Sequence, residues 1–325
     1  MNNLIDLTQE EIEVIFELIH NITTSPSEEA ELFCQQSKEV AQRLPQRIKD
    51  ILFQFGKRGS DTGFLLIRGI DLENEILPDT PSNNNKKIGE QTKLAKIQSM
   101  FIHIVGEMIA YEAECYGRIF QDVVPTKSME NDQTSLGSNK VLEIHTEQAF
   151  SKLRPDILSL SCLRGDPKAF TYVLPVKYIV DNISEEEREL LKQSLWTTEV
   201  DLSFKLNGHE FMEGDIRGPL SILNGQDDDP ILIFDQDLMT GITEEAENMI
   251  KKIVDIYNTH RLEHNLKPGE IILIDNRRAV HGRSAFFPKY DGRDRFLIRC
   301  FSVMDYNASK YARLNDQRTV IAIYS

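Results

Sequence analysis

Thiols are scarce in this chain and scattered. Cys34, Cys115, Cys162 and Cys300 are the only four cysteines among 325 residues, and no two of them form a C-x-x-C pair. That pattern argues against a disulfide framework or a thiolate zinc site and leaves buried, apolar cysteines as the reading. Long hydrophobic runs are missing as well. The longest, such as Phe64-Leu65-Leu66-Ile67, are strand-sized, so no membrane span is expected. The start, Met1-Asn2-Asn3-Leu4-Ile5-Asp6, lacks the basic residues and apolar stretch of a signal peptide, and a cytoplasmic location is expected. Positive charge is in deficit, with 37 Lys and Arg against 52 Asp and Glu and a net charge of −15. A nucleic-acid or anionic-membrane partner would demand a basic face and is excluded on that ground, although the charge selects no substrate. There is no G-x-S-x-G nucleophile motif, internal repeat or heptad, and no surface stripe argues for a dimer, so the oligomeric state stays open.

What remains is a globular composition, 40% hydrophobic and 27% charged, on a chain long enough for an ample core. The first 116 residues read as mostly helical support. Thr8-x-x-Glu11 is a capping box opening an amphipathic run through His20. A helical period continues from Ser27 to Leu44, and Pro45 starts a helix from Gln46 to Phe55 that Gly56 closes. Thr62–Gly69 is a glycine-bounded buried strand, residues 78–87 form a polar loop, and a long helix is expected from Gln91 to Cys115. From residue 117 the character changes to short apolar runs between Gly, Pro, Asn and Asp clusters: 141–150, 157–163, 170–176, 195–206, 219–223, 230–234, 270–275, 279–286 and 295–303. Many strands at such spacing predict a double-sheeted jelly roll or barrel. Two helices interrupt it, one opened by the capping box Ser184-x-x-Glu187 and one from about Glu244 to Leu262. The expected organisation is one domain over 1–325, mainly β with helices.

Chemistry concentrates in a few residues. In the run Val141 to Phe150, strand period two places His145 and Glu147 on one face, close enough to share a metal. Seven histidines among 52 acids give about one H-x-[DE] by chance, so a surface pair or a satisfied core histidine is the better explanation of that motif taken alone. Downstream, His281 lies in the strand after Lys267-Pro-Gly-Glu-Ile-Ile-Leu-Ile-Asp-Asn276. With His145 and Glu147 it completes a two-histidine, one-carboxylate set suited to Fe(II). In the strand that follows, Arg295, Leu297, Arg299 and Phe301 share a face. Buried guanidiniums need anions, and these two are met either by ligands or by the acids of this acidic chain. Asp235 and Asp237, in Ile231-Leu-Ile-Phe-Asp-Gln-Asp-Leu238, form a close carboxylate pair that either holds a cation or is a solvated turn. Residues 122–140 are polar and read either as a loop closing over a ligand or as a plain connection.

The stretches LEIHTEQAF, RPDILSLSCLRGD and IDNRRAVHGRSAF, with DRFLIRCF seven residues on, resemble the clavaminate synthase-like branch of the Fe(II)/2-oxoglutarate-dependent oxygenases. Within it they are similar to hydroxylases of free arginine, lysine and asparagine. The similarity runs from about Gly117 to Met304, and Gly63–Gly69 fits the family's early strand. The resemblance implies a distorted double-stranded β-helix with iron held by His145, Glu147 and His281. It implies that Arg295, fourteen residues beyond His281, pairs with the far carboxylate of 2-oxoglutarate through a bidentate fork, with Thr171 nearby. It further implies that Arg299, helped by Ser135, takes the α-carboxylate of the substrate, that Gln121 and Glu147 meet the α-amino group, and that Asp235 and Asp237 meet a cationic side chain. The implied reaction is hydroxylation by dioxygen of C3 or C4 of a free basic L-amino acid. Lysine is favoured over arginine, because a guanidinium prefers a planar bidentate partner. The alternatives are a hydroxylase or desaturase of another polar amino acid, such as asparagine or citrulline, and a non-catalytic jelly-roll binding protein.

Overall fold

Local chemistry sets the helix boundaries. Thr8 Oγ1 accepts from the Glu11 N–H (3.3 Å) and the Glu11 carboxylate accepts from the Thr8 N–H (2.9 Å), so α1 (Gln9–Leu18) begins at the capping box. The computed structural model describes residues 3–72, 75–205, 208–314 and 317–325. Helix α2 spans Ala30–Ala41, and α3 (Gln46–Arg58) starts after Pro45 but runs past Gly56. Gly59, at φ 67°, ends it instead, in the left-handed region that a non-glycine residue would enter only under strain. Helix α4 (Lys93–Val105) is shorter than expected. It stops at Gly106, where a Cβ would stand 2.7 Å from the Val303 carbonyl, and Glu107–Tyr111 is a strand instead. Close backbone crossing and the pull of a sheet edge override helical periodicity there.

The first seven strands are β1 (Leu4–Asp6), β2 (Phe64–Arg68), β3 (Glu107–Tyr111), β4 (Gln121–Val123), β5 (Leu142–His145), β6 (Ile157–Arg164) and β7 (Thr171–Pro175). An insertion follows, made of α5 (Val176–Asp181), α6 (Glu185–Leu191), β8 (Trp196–Glu199), α7 (Leu202–Lys205), β9 (Ile216–Leu220), β10 (Leu223–Gln226), β11 (Asp229–Leu232), β12 (Met239–Gly241) and α8 (Glu244–His260). The chain closes with β13 (Leu262–His264), β14 (Ile271–Asp275), β15 (Ala279–Arg283), β16 (Phe296–Val303) and β17 (Thr319–Val320). The strand expected over 195–206 breaks after Glu199, because Asp201 Oδ1 accepts from the Ser203 N–H and Oγ and turns the chain. The run 219–223 is the junction between β9 and β10.

A major sheet in the order β1-β2-β14-β6-β16-β3-β17, with β4 also on β16, faces a minor sheet in the order β13-β7-β15-β5. The architecture is the mainly β, jelly-roll type that the strand spacing predicted. Three strands of the first 116 residues belong to the major sheet. Both faces of that sheet are covered, which is why β14 reads as a continuous apolar run. Ile271 and Leu273 pack with Phe33, Phe55 and Phe101 under the helices, while Ile272 and Ile274 face the minor sheet with Leu297 and Phe301. Each such side chain stabilises the fold by about 1.5–3 kcal/mol. The minor sheet alternates too. Tyr172, Leu174, Ile144 and Val280 turn outward onto α5, α8 and Trp196, leaving Thr171, His145, His281 and Arg283 to face inward. All four cysteines are buried and free. No helix among the described residues is long and apolar enough to cross a membrane.

Candidate active site

Register places the two histidines. His281 on β15 stands directly opposite His145 on β5, and their ring centroids are 4.4 Å apart. Strand β5 ends at His145. The Thr146 N–H donates to the Phe234 carbonyl (2.7 Å), so Glu147 lies just beyond the strand rather than within it as expected. The ligand atoms of His145, Glu147 and His281 nevertheless lie within 4.8 Å of one another, with His281 Nε2 3.0 Å and His145 Nε2 3.8 Å from Glu147 Oε1. His145 Nδ1 lies 2.7 Å from the Glu143 carbonyl, which can only accept, so Nδ1 carries a proton and Nε2 is left as the metal-facing nitrogen.

The electrostatics favour a cation at this point. Burial opposes charge on His145, yet Glu147, Asp235 and the Glu143 carbonyl outweigh it and push the imidazole up to about 9. Burial would raise Glu147, but Arg299 and the two histidines hold its carboxyl well below the usual range. Burial and the charge of His145 push His281 down. Two imidazole nitrogens and one anionic oxygen, buried together, are a donor set that fits non-haem Fe(II).

The triad opens onto a cavity of about 340 Å³ between the two sheets. Nine of the ten residues singled out from the sequence line it: His145, Glu147, His281, Arg295, Thr171, Arg299, Ser135, Asp235 and Asp237. Toward one end lie Arg295 and Thr171, joined by Arg283, which strand period two from His281 would have revealed. Among the described residues no carboxylate lies within 4.0 Å of either arginine. Burial pushes Arg295 down to about 10, and burial with the charge of Arg295 pushes Arg283 down to about 9. Both guanidiniums lie over the Phe286 ring, at 5.7 and 4.9 Å. Two buried cations without acids make a site for an anion.

Arg299 is different, because acids surround it. It is ion-paired to Glu114, lies 3.6 Å from Glu147 Oε2, and donates from Nε to Gln121 Oε1 (2.7 Å). Gln121 thus sits against Arg299 and is not part of the cavity wall. Glu114, which the sequence reading missed, is on that wall, and burial pushes it up to about 7 against the pull of Arg299. No motif marks it: it precedes a turn in which Cys115 and Tyr116 have positive φ (47° and 62°), strain that persists where surroundings over-determine it. A further wall is acidic, formed by Asp235, Asp237, Glu143 and Asp201, the last also missed because it lay inside an expected strand. Asp235 Oδ1 accepts from the N–H groups of Asp237 and Leu238 (2.9 and 3.0 Å), and burial pushes the carboxyl up to about 7. Residues 131–135 and Lys140 close one side of the cavity. Their segment is tied down where Arg283 Nη1 donates to the Gly137 carbonyl (2.6 Å) and the Phe286 N–H to the Ser138 carbonyl (2.9 Å).

The family model described as "Taurine catabolism dioxygenase TauD, TfdA family" matches residues 29–301. The chain belongs to that family. It is a 2-oxoglutarate-dependent, iron-using dioxygenase of the clavaminate synthase-like kind. It is 44% identical over 319 residues to an L-lysine 3-hydroxylase of Catenulispora acidiphila, covering 98% of this chain and 89% of that one. It is 30% identical to an L-asparagine oxygenase of Streptomyces coelicolor, over 96% and 93% of the two chains. Among solved structures, an asparagine oxygenase with Fe(II), 3-hydroxyasparagine and succinate superposes with a TM-score of 0.90 at 28% identity, over 98% of this chain and 99% of that one.

Proposed function

We propose that this dioxygenase hydroxylates free L-lysine at C3 or C4, C3 being favoured, with arginine a poorer substrate. The observation that carries the reading is the charge pattern of one cavity. It offers an anion site at Arg295, a zwitterion site at Arg299 with Glu114 and Glu147, and an acidic wall at Asp235 and Asp237. A small amino acid with a second cation matches that pattern, and the 44% identity to a lysine 3-hydroxylase supports it. Asparagine, in the name of another relative, offers no cation to the acidic wall.

In this reading His145, Glu147 and His281 hold the iron, which when bound supplies dioxygen activation coupled to decarboxylation of 2-oxoglutarate to succinate. Arg295 and Thr171 orient the co-substrate through its far carboxylate, and a bidentate fork fixes both position and angle. Arg299, aided by Ser135, takes the substrate α-carboxylate, Glu114 and Glu147 the α-ammonium, and Asp235 with Asp237 the side-chain ammonium. Gln121 orients Arg299 from behind. Held at both ends, the aliphatic chain presents one carbon to the metal, and placement alone sets regiochemistry. Residues 131–140 keep water out. The whole of 1–325 acts as one oxygenase domain, and the cytoplasm, which supplies free lysine and 2-oxoglutarate, is its proposed location.

The test is incubation with Fe(II), 2-oxoglutarate, oxygen and each of the twenty free amino acids, read by mass. Lysine should gain one oxygen in step with succinate. If no amino acid stimulates succinate formation, the amino-acid reading fails.

A further inference from the structure

The sequence Asn276-Arg277-Arg278 links β14 to β15, and its asparagine is fully buried. Asn276 Oδ1 accepts from the Glu147 N–H (2.7 Å), and Nδ2 donates to the Glu147 carbonyl (3.2 Å) and the Pro155 carbonyl (2.7 Å). One side chain from 129 residues away therefore holds both backbone polar groups of Glu147. The next residue, Gln148, has φ 54°, a conformation that non-glycine residues rarely adopt. Its side chain in turn donates to Glu114 Oε2 (3.0 Å). A strained backbone of this kind survives only where its surroundings fix it, and Asn276 supplies that fixing.

We propose that Asn276 is a positioning residue that fixes the backbone of Glu147, and through it the carboxylate, for metal binding. The proposal rests on the reading of His145, Glu147 and His281 as the iron ligands. An amide is the group required, since it accepts from one side and donates from the other. Asn276 also precedes His281 by five residues on the connection that passes from the major sheet to the minor one, so a single loop sets the spacing between Glu147 and the distal histidine. Aspartate at this position would retain the acceptor and lose both donors, turning a second oxygen toward two carbonyls. Partners that orient metal ligands from behind typically contribute about 10- to 100-fold in metal affinity.

The experiment is a Co(II) titration of the metal-free protein, read by its visible d–d absorption without any turnover. Asn276→Asp and the smaller Asn276→Ser should each bind Co(II) at least about ten-fold more weakly than wild type, with an altered band shape. Gln98→Leu is the matched control. Gln98 is also a fully buried amide with three hydrogen bonds, to Ser159 Oγ (2.8 Å), the Ile298 carbonyl (3.3 Å) and Ser161 Oγ (2.9 Å), and it lies outside the metal site. That variant should lose stability and keep its Co(II) affinity. If N276D fails to fold, N276S decides. Affinity within about two-fold of wild type in the folded variants, or an equal loss in Gln98→Leu, overturns the proposal. Failure of the wild type to bind Co(II) would instead sink the metal-site reading beneath it.

Discussion

Replacing Arg295 with methionine should move two properties in opposite directions. The guanidinium is buried without an acid partner among the described residues, and burial pushes it from 12.5 down to about 10, equivalent to roughly 3 kcal/mol of lost solvation at neutral pH. Against that stands its contact with the Phe286 ring at 5.7 Å, worth about 0.5–1 kcal/mol. The sign follows from the direction: a cation whose folded value is depressed destabilises the fold wherever it is charged, which includes all of the neutral range. R295M without ligands should therefore unfold at higher urea than wild type, by about 2 kcal/mol. Arg283 gains as well, because the charge of Arg295 is one cause of its own depression. Affinity for 2-oxoglutarate should fall steeply, since removing one partner of a buried charge pair costs about 2–5 kcal/mol, or roughly 30-fold to several thousand-fold. Saturating 2-oxoglutarate should then erase the variant's advantage, as a ligand at about 100 times its Kd adds about 2.7 kcal/mol to the wild type. Urea melts with and without 2-oxoglutarate, alongside an anaerobic titration in the presence of Fe(II), measure all three quantities. A ligand-free R295M that is less stable than wild type, with 2-oxoglutarate affinity within about three-fold, would refute the argument that this arginine is an anion site held in waiting.

Three further outcomes are expected. Asp235→Asn should lower kcat/KM for lysine about 100-fold while sparing substrate-independent decay of 2-oxoglutarate; an unchanged kcat/KM removes Asp235 from the cation clamp. His103 is pushed down to about 3, chiefly by burial and secondarily by Arg318, so the unfolded chain binds its proton first as pH falls below 6.5. Stability from this group is full above 6.5 and declines toward 3, by about 2 kcal/mol between pH 7 and 5. His103→Leu should flatten that slope in urea midpoints, and an identical slope would contradict the assignment. Glu11 closes the α1 capping box and pairs with Arg47, so Glu11→Ala should destabilise by about 1–2 kcal/mol in the same assay, and no change would mean the cap is dispensable.

Much of the site could be read from sequence because its residues sit at fixed strand offsets. His281, Arg295 and Arg299 project inward from or beside β15 and β16, whose alternation is dictated by two packed faces. Glu114 and Asp201 escaped notice because each lies at a turn, where side-chain direction depends on local φ and ψ rather than on a period. Gln121 was singled out from its place in the chain, whereas its role depends on β4 pairing with β16 opposite Arg299, a contact between residues 178 apart. The fold followed the same division. Capping boxes at Thr8 and Ser184 marked helix starts correctly, but Glu107–Tyr111 followed a helical run without a break in polarity. Only its pairing with β16 and β17 makes it a strand.

The cavity's two functions rest on unlike parts of the molecule. In the proposed reading, iron and 2-oxoglutarate face residues on or beside β5, β7, β15 and β16, the last two strands buried throughout. The amino acid, in the same reading, meets Arg299 on β16 but otherwise turns and connecting segments around residues 131–135, 201–204 and 235–238. Mutational drift in those segments can retune which amino acid is accepted while the oxidising apparatus is inherited intact. The same frame can therefore serve enzymes of different substrate preference, and its relatives carry names that refer to lysine and to asparagine.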